Sequence, residues 1–243
     1  MFNRLVPRIG FGWATRVIAF IMLGTLTISL AVMRVRVRPA QKRTLWQLSA
    51  LAEPPFALFT LGTFFGFCGL YIPFFYTQSY AINENIMSPD LAQYLFSILN
   101  AASIFGRILP NHLADRVGPL NVLIPATLIA CILALSWLSI KYSAGLIIFV
   151  AAYGFVSGSF VSLPPTVLFT LCPDKSVLGT RMGMYFALGG LGILIGTPVA
   201  GLFIRETGYY AAIAFCGSMV GCGAFCFILA RIAKVGFKFA VKA

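Results

Sequence analysis

Hydrophobic positions in this chain do not alternate with polar ones. They gather into runs of about twenty residues or more, the length that crosses ~30 Å of hydrocarbon as a helix. The runs go from Gly12 to Met33, from Pro54 through about Ala81, from about Leu91 to Leu113, from about Leu120 to Ile140, from about Ala144 to Leu171, from about Val177 to Phe203, and from about Tyr209 to Ala233. This predicts an all-α transmembrane helical bundle of about seven spans. A membrane barrel is excluded, because its strands would read polar and apolar at every second residue. The first run ends in Arg34, Arg36, Arg38, Lys42 and Arg43, a stop-transfer pattern rather than the small residues of a cleavable signal. Connections such as Ala114 to Pro119 and Lys141 to Tyr142 are so short that neighbouring helices must run antiparallel, side by side.

Composition agrees with the pattern. Residues from AVILMFWYC make up 60% of the 243, charged residues only 10%, and the mean hydropathy is +0.93. A soluble domain carries about 25% charged residues, so a water-facing globule is excluded. The formal charge of +12 would suggest nucleic acid in a soluble protein. Here the cations sit in loops and tails between apolar runs, which implies the lipid bilayer and no nucleic acid. Arg4, Arg8, Arg16, Lys141 and Arg205 fall on one side of the membrane, and the other Lys and Arg, apart from Arg107, fall on the opposite side. The positive-inside rule places that richer side, with the C-terminus, in the cytoplasm. Six cysteines show no CxxC spacing and lie in or beside apolar runs, so they read as small packing residues.

Small residues four apart bring helix backbones together in lipid. Gly62 and Gly66, Gly154 and Gly158, Gly192 and Gly196, and Gly217 and Gly221 have that spacing, and tight packing is their simplest reading. The sixth run is unusually rich in Gly and contains Pro198, which predicts a helix able to bend or slide.

The third run is the least apolar, and it holds Arg107. An ionisable group at the centre of a membrane helix costs ~2.5–3.5 kcal/mol on insertion scales, so its presence needs a reason. Two readings stay open: the side chain snorkels to the headgroups, or its planar fork faces an aqueous cavity and holds a carboxylate by two parallel hydrogen bonds. Asn100, Ser103 and Asn111 fall on the same helical face and extend a polar stripe. No catalytic set accompanies it. The one histidine, His112, lies at the border of the run, the six acidic residues are scattered through turns, and neither a P-loop nor an HExxH occurs. The chain does not read as an enzyme, and no metal or organic cofactor is implied.

The string Gly106 to Gly118, GRILPNHLADRVG, resembles the loop signature of the major facilitator superfamily through Leu113, Ala114, Asp115, Arg116 and Gly118. Asn111 stands where that signature has its first Gly, and Pro119 and Leu120 replace its basic residues, as in the weaker copy between helices eight and nine. The resemblance implies a gating role for Asp115, Arg116 and Gly118. Gly179 to Met184 with Gly189 to Gly192 and Ile195 to Gly201 looks like helix eleven of the monocarboxylate porter family, fungal branch, and Leu5 to Arg16 is similar to the approach to its helix six. The seven spans then match helices six to twelve: a C-terminal lobe of a major facilitator fold plus one preceding helix. Residues 1–50 would be the helix-six-like span with a basic inter-lobe loop, and residues 51–243 the six-helix lobe.

In that family an arginine of helix eight binds the substrate carboxylate, and Arg107 matches it. The Asp that couples protons one turn earlier is replaced by Ser103, so proton symport is not implied. The expected function is secondary active or facilitative transport of a small organic anion by alternating access. Arg107 and Asn100 would bind the anion, and Phe74 and Tyr76 would shape the cavity, although Phe74 could as easily face lipid. The expected setting is a multi-pass protein of the plasma membrane. The alternative is a truncated, non-transporting membrane protein, or a lobe that acts only as partner to a separate N-terminal lobe. The substrate's identity is not legible.

Overall fold

The computed structural model describes residues 2–34 and 46–236. The cations Arg36, Arg38, Lys42, Arg43, Lys238 and Lys242 therefore lie outside the described residues. The chain divides into two units, residues 1–43 and residues 44–243. The first unit is the helix α1, Phe2–Val32, interrupted at Gly10, whose φ of 75° is not helical.

The second unit contains α2 (Pro54–Leu70), α3 (Ile72–Asn83), α4 (Pro89–Ala92), α5 (Leu95–Val117), α6 (Pro119–Ser136), α7 (Ser143–Ser162), α8 (Pro164–Leu171), α9 (Leu178–Thr207) and α10 (Tyr209–Val235). Among the described residues, six segments are long and apolar enough to cross a membrane: Leu5–Val32, Pro54–Asn83, Pro119–Ser139, Ser143–Leu171, Lys175–Thr207 and Tyr209–Val235. The remaining expected span is α5. Its 23 residues reach about 35 Å at ~1.5 Å each, but its polar stripe lowers its hydropathy.

Two expected spans are broken helices. The run from Pro54 is α2 and α3, separated at Tyr71, because Pro73 has no N–H to offer the carbonyl of Gly69 four residues back. In lipid the carbonyls at such a break must find partners within the protein. The Tyr153 hydroxyl donates to the Leu70 carbonyl at 2.9 Å, and the Cys216 thiol donates to that of Gly69 at 3.3 Å. Pro164 and Pro165 likewise divide α7 from α8. The Gly-rich α9, by contrast, runs unbroken through Pro198.

Helix α2 packs against α9 and α10, α5 against α7, and α6 against α10 and α7. All four glycine pairs lie at such contacts. On α2, Gly62 and Gly66 receive the rings of Phe227 and Phe160, while Gly192 and Gly196 of α9 lie on the Phe64 and Cys68 carbonyls. Around these contacts Phe59 stacks on Tyr185 with ring centres 5.4 Å apart and meets Phe227 at 5.3 Å.

The α5–α7 seam is the tightest. A Cβ on Gly106 would fall on the Phe155 carbonyl, one on Gly154 on the Leu99 carbonyl, and one on Gly158 within 2.5 Å of the Ser103 carbonyl. Hydrogen bonds cross the same seam: Ser159 Oγ donates to the Gly106 carbonyl at 2.9 Å, and Asn111 Nδ2 donates to Ser162 Oγ at 2.9 Å. Backbone contact therefore holds both sides of Arg107's helix turn against α7.

Gly154→Leu should destabilise the bundle by roughly 1–3 kcal/mol, the usual cost of overpacking, and lower the thermal midpoint in detergent. Gly190→Ala, where a Cβ meets nothing within 4 Å, should not lower that midpoint and should raise it slightly, since alanine is the better helix former. Equal midpoints for the two variants would contradict the seam.

Candidate functional site: a hollow around Arg107

Helix α5 starts and ends later than its apolar run suggested, because Pro89–Ala92 forms a separate short helix and the C-terminal end continues to Val117. Arg107 is thus ten residues from the end of α5, about 15 Å along the axis at ~1.5 Å per residue. Among the described residues its guanidinium has no hydrogen-bond or ion-pair partner. It borders a hollow of about 250 Å³ with Asn100 and Ser103 of α5, Tyr71 at the α2–α3 break, and Phe74 of α3.

The aromatic wall follows from that break. Interrupting the helix at Tyr71 turns Tyr71, Phe74 and Phe75 towards α5, where Tyr71 and Phe74 lie 5.2 Å apart and Phe74 meets Phe96 at 6.5 Å. Ser157 and Gly158 of α7 close another side. Gly158 matters doubly, since a side chain there would separate the seam and fill the hollow. The polar stripe is ordered by its own helix: Asn100 Nδ2 donates to the Phe96 carbonyl at 2.9 Å and Ser103 Oγ to the Asn100 carbonyl at 2.7 Å. The Ser103 proton is spent in that bond, while the Asn100 amide nitrogen has a second N–H to offer. A guanidinium and an amide N–H beside four rings can bind an anion with an apolar or aromatic body.

Of the four residues expected to bind, Arg107, Asn100 and Phe74 meet at this hollow. Tyr76 does not line it. One helical step turns it to the α3–α9 seam, where its hydroxyl donates to the Thr197 carbonyl at 3.0 Å. Asp115 and Arg116 were expected in a loop, but they form the exposed last turn of α5, where the Arg116 guanidinium lies 3.3 Å from His112 Nε2. The connection to α6 shrinks to Gly118, whose φ of 106° suits a residue without a side chain.

A second polar cluster escaped sequence reasoning. Arg181, 3% exposed, begins α9 and reaches Glu53 at the start of α2. Its Nη1 donates to Glu53 Oε2 at 2.7 Å and its Nη2 to Oε1 at 2.5 Å, while Nε donates to Gln47 Oε1 at 3.2 Å. The guanidinium also lies 5.4 Å from the Phe56 ring centre. The available signal was topological: α2 and α9, an even number of crossings apart, start on the same side, so an acid and a base near their starts can pair.

These features define a bundle of interrupted apolar helices around a cation-bearing hollow, the architecture of a membrane transport fold. The model of the Major Facilitator Superfamily matches residues 59–238, and the chain belongs to that superfamily. It is 41% identical over 205 residues to the MFS-type transporter dbaD of Emericella nidulans, covering 84% of this chain and 46% of that protein. It is 33% identical over 227 residues to the aspyridones efflux protein apdF of the same organism, with 90% and 46% covered. It is 35% identical over 235 residues to the agnestins efflux protein AgnL12 of Paecilomyces divaricatus, with 95% and 53% covered. The chain spans about half the length of the curated relatives it matches. The crystal structure of the E. coli fucose:proton symporter FucP superposes with a TM-score of 0.65 at 20% identity, over 90% of this chain and 54% of that one, a likeness of fold. The protein is a multi-pass membrane protein with a transporter fold and not an enzyme fold.

Arg181 holds the Glu53 carboxyl below its ordinary value, chiefly by hydrogen bonding and also by charge. The ordinary glutamate value is about 4.3. Because the folded value is depressed, the pair's stabilisation is complete above that ordinary value and is lost as pH falls through the lower, folded one. Removing the acid leaves a buried guanidinium short of acceptors, while Glu53's own side chain is 42% exposed. Glu53→Gln should therefore cost roughly 1–3 kcal/mol, the range for a lost charged hydrogen bond. Its thermal midpoint should fall at pH 7, and the wild-type advantage should vanish in acid. An advantage constant from pH 7 to pH 3 would contradict the assignment.

Proposed function

We propose that the chain is the C-terminal part, helices six to twelve, of a transporter of the monocarboxylate porter kind, which passes a small organic anion by alternating access. Arg107 holds the carboxylate. The observation that carries this reading is a guanidinium near mid-helix, at an aromatic-walled hollow, without an ion-pair partner among the described residues. A cation so placed offers two parallel donors to a carboxylate, and removing water from the hollow strengthens that attraction. Asn100 adds a polar contact, and Tyr71, Phe74, Phe75 and Phe96 favour a cargo with an apolar or aromatic body.

The names of two relatives as efflux proteins support movement out of the cell, and so the plasma membrane, and the basic side of the bundle supports a cytoplasmic C-terminus. Asp115 and Arg116 at the end of α5, with Gly118 as the pivot, form the cytoplasmic gate of the moving lobe. The Arg181–Glu53 pair keeps the starts of α2 and α9 together, so those helices move as one body. A second reading, a lobe that works only with a separate N-terminal lobe, is favoured by the half-length match to the relatives.

Vesicles reconstituted with the chain test both. With labelled benzoate inside, saturable exit is expected, and Arg107→Gln should reduce it at least about ten-fold, the loss expected for one charged contact worth ~1.5–3 kcal/mol. Arg107→Lys should retain part of the rate, and Tyr76→Phe should retain all of it. If exit appears only after an N-terminal lobe is co-reconstituted, the second reading holds. If Arg107→Gln matches wild type wherever exit is seen, the anion site is refuted.

A further inference from the structure

A bare anion does not account for all the polar atoms of the hollow. Arg107 and the Asn100 amide N–H are donors, but Asn100, Ser103 and Ser157 also bring side-chain oxygens to its lining. Each serine spends its proton on its own helix: Ser103 Oγ donates to the Asn100 carbonyl at 2.7 Å and Ser157 Oγ to the Gly154 carbonyl at 3.0 Å. A hydroxyl has one proton and two acceptor sites, so both serines are left with lone pairs. Asn100 Oδ1 likewise accepts no hydrogen bond among the described residues.

These oxygens form one group. Asn100 and Ser103, three residues apart, share a face of α5. Across the seam a Cβ on Gly158 would come within 2.5 Å of the Ser103 carbonyl, which holds the adjoining Ser157 of α7 at the level of Ser103. The two serines are only 4% and 1% exposed, so little water competes for their lone pairs. Their hydroxyls are not needed by the helices, and a serine that bonds back to its own helix slightly destabilises it. Packing alone would be served as well by alanine.

The donor that meets these oxygens must come from the cargo. An ammonium is disfavoured, because the Arg107 guanidinium borders the same hollow and no acidic side chain lines it among the described residues, so a second cation taken from water there would be unpaired. A neutral hydroxyl bears no such cost. A phenolic O–H keeps its proton at neutral pH, its ordinary pKa being about 10, and its ring suits the walls made by Tyr71, Phe74, Phe75 and Phe96.

We infer that the cargo is a phenolic carboxylate, an aromatic acid whose carboxylate meets Arg107 and whose ring hydroxyl donates to the Ser103 and Ser157 oxygens. This rests on Arg107 as the carboxylate site and adds the contact that selects among aromatic acids.

Binding of labelled benzoate to the purified 243-residue chain in detergent, displaced by unlabelled competitors, tests the assignment. The tighter of para- and meta-hydroxybenzoate should displace the label about five-fold better than benzoate does, the factor for one net hydrogen bond. The compound para-methoxybenzoate keeps the oxygen but has no proton to give, and should show no gain. In the double variant Ser103→Ala, Ser157→Ala the advantage of hydroxybenzoate over benzoate should fall to parity, and the competitor series on wild type still decides if that variant fails to fold. Equal displacement by hydroxybenzoate and benzoate, an equal gain from the methoxy compound, an advantage unchanged in the double variant, or tighter binding of phenylalanine than of either hydroxybenzoate would each overturn the hydroxyl contact while leaving the role of Arg107 standing. Absence of saturable benzoate binding, or binding that Arg107→Gln leaves intact, would overturn the anion site and the phenolic cargo with it.

Discussion

Lipid tails are as apolar as leucine, so a bundle in a bilayer gains nothing from hiding apolar side chains between its helices. What holds it together is close contact, and the closest contacts here are those in which a glycine meets a carbonyl. Gly106, Gly154 and Gly158 bring α5 and α7 together until a methyl group at any of them would strike the opposing backbone. That seam fixes the rotation of α5, and the rotation decides that Asn100, Ser103 and Arg107 turn towards the α2–α3 break. The site is therefore a consequence of packing rather than an addition to it.

The same medium controls the broken helices. A proline inside a span frees a carbonyl that only the protein can satisfy, and the Tyr153 hydroxyl and Cys216 thiol meet that need beside Pro73. The break turns three aromatic residues of one short stretch towards Arg107.

Much of this was legible in the residues. Runs of apolar side chains gave the spans, because a helix must be long and greasy to cross, and the four-residue glycine spacing gave the contacts, because that spacing has one function in lipid. Arg107 stood out since a charge in such a run is costly. What could not be read is whatever depends on rotation about a helix axis. Phe74 and Tyr76 are two residues apart and looked equivalent, yet one lines the hollow and the other binds the Thr197 carbonyl. Pro73 was visible without the break being foreseen, since proline near a helix start is also compatible with an unbroken span. The Arg181–Glu53 pair joins positions 128 residues apart, a contact that only the fold creates. In α9 the glycines suggested flexibility, and three of them, Gly189, Gly192 and Gly196, also make its contact with α2.

The central claim, that a cation within the membrane faces water and an anionic cargo, can be tested at the wall opposite that cation. A cysteine at position 74, which lines the same hollow, with Cys222 replaced by Ser, should react in vesicles with a charged, membrane-impermeant thiol reagent, and benzoate should slow the reaction several-fold while Arg107 is present and not after Arg107→Gln. A position 74 cysteine that stays unmodified, or whose protection by benzoate is the same with and without Arg107, would contradict the account.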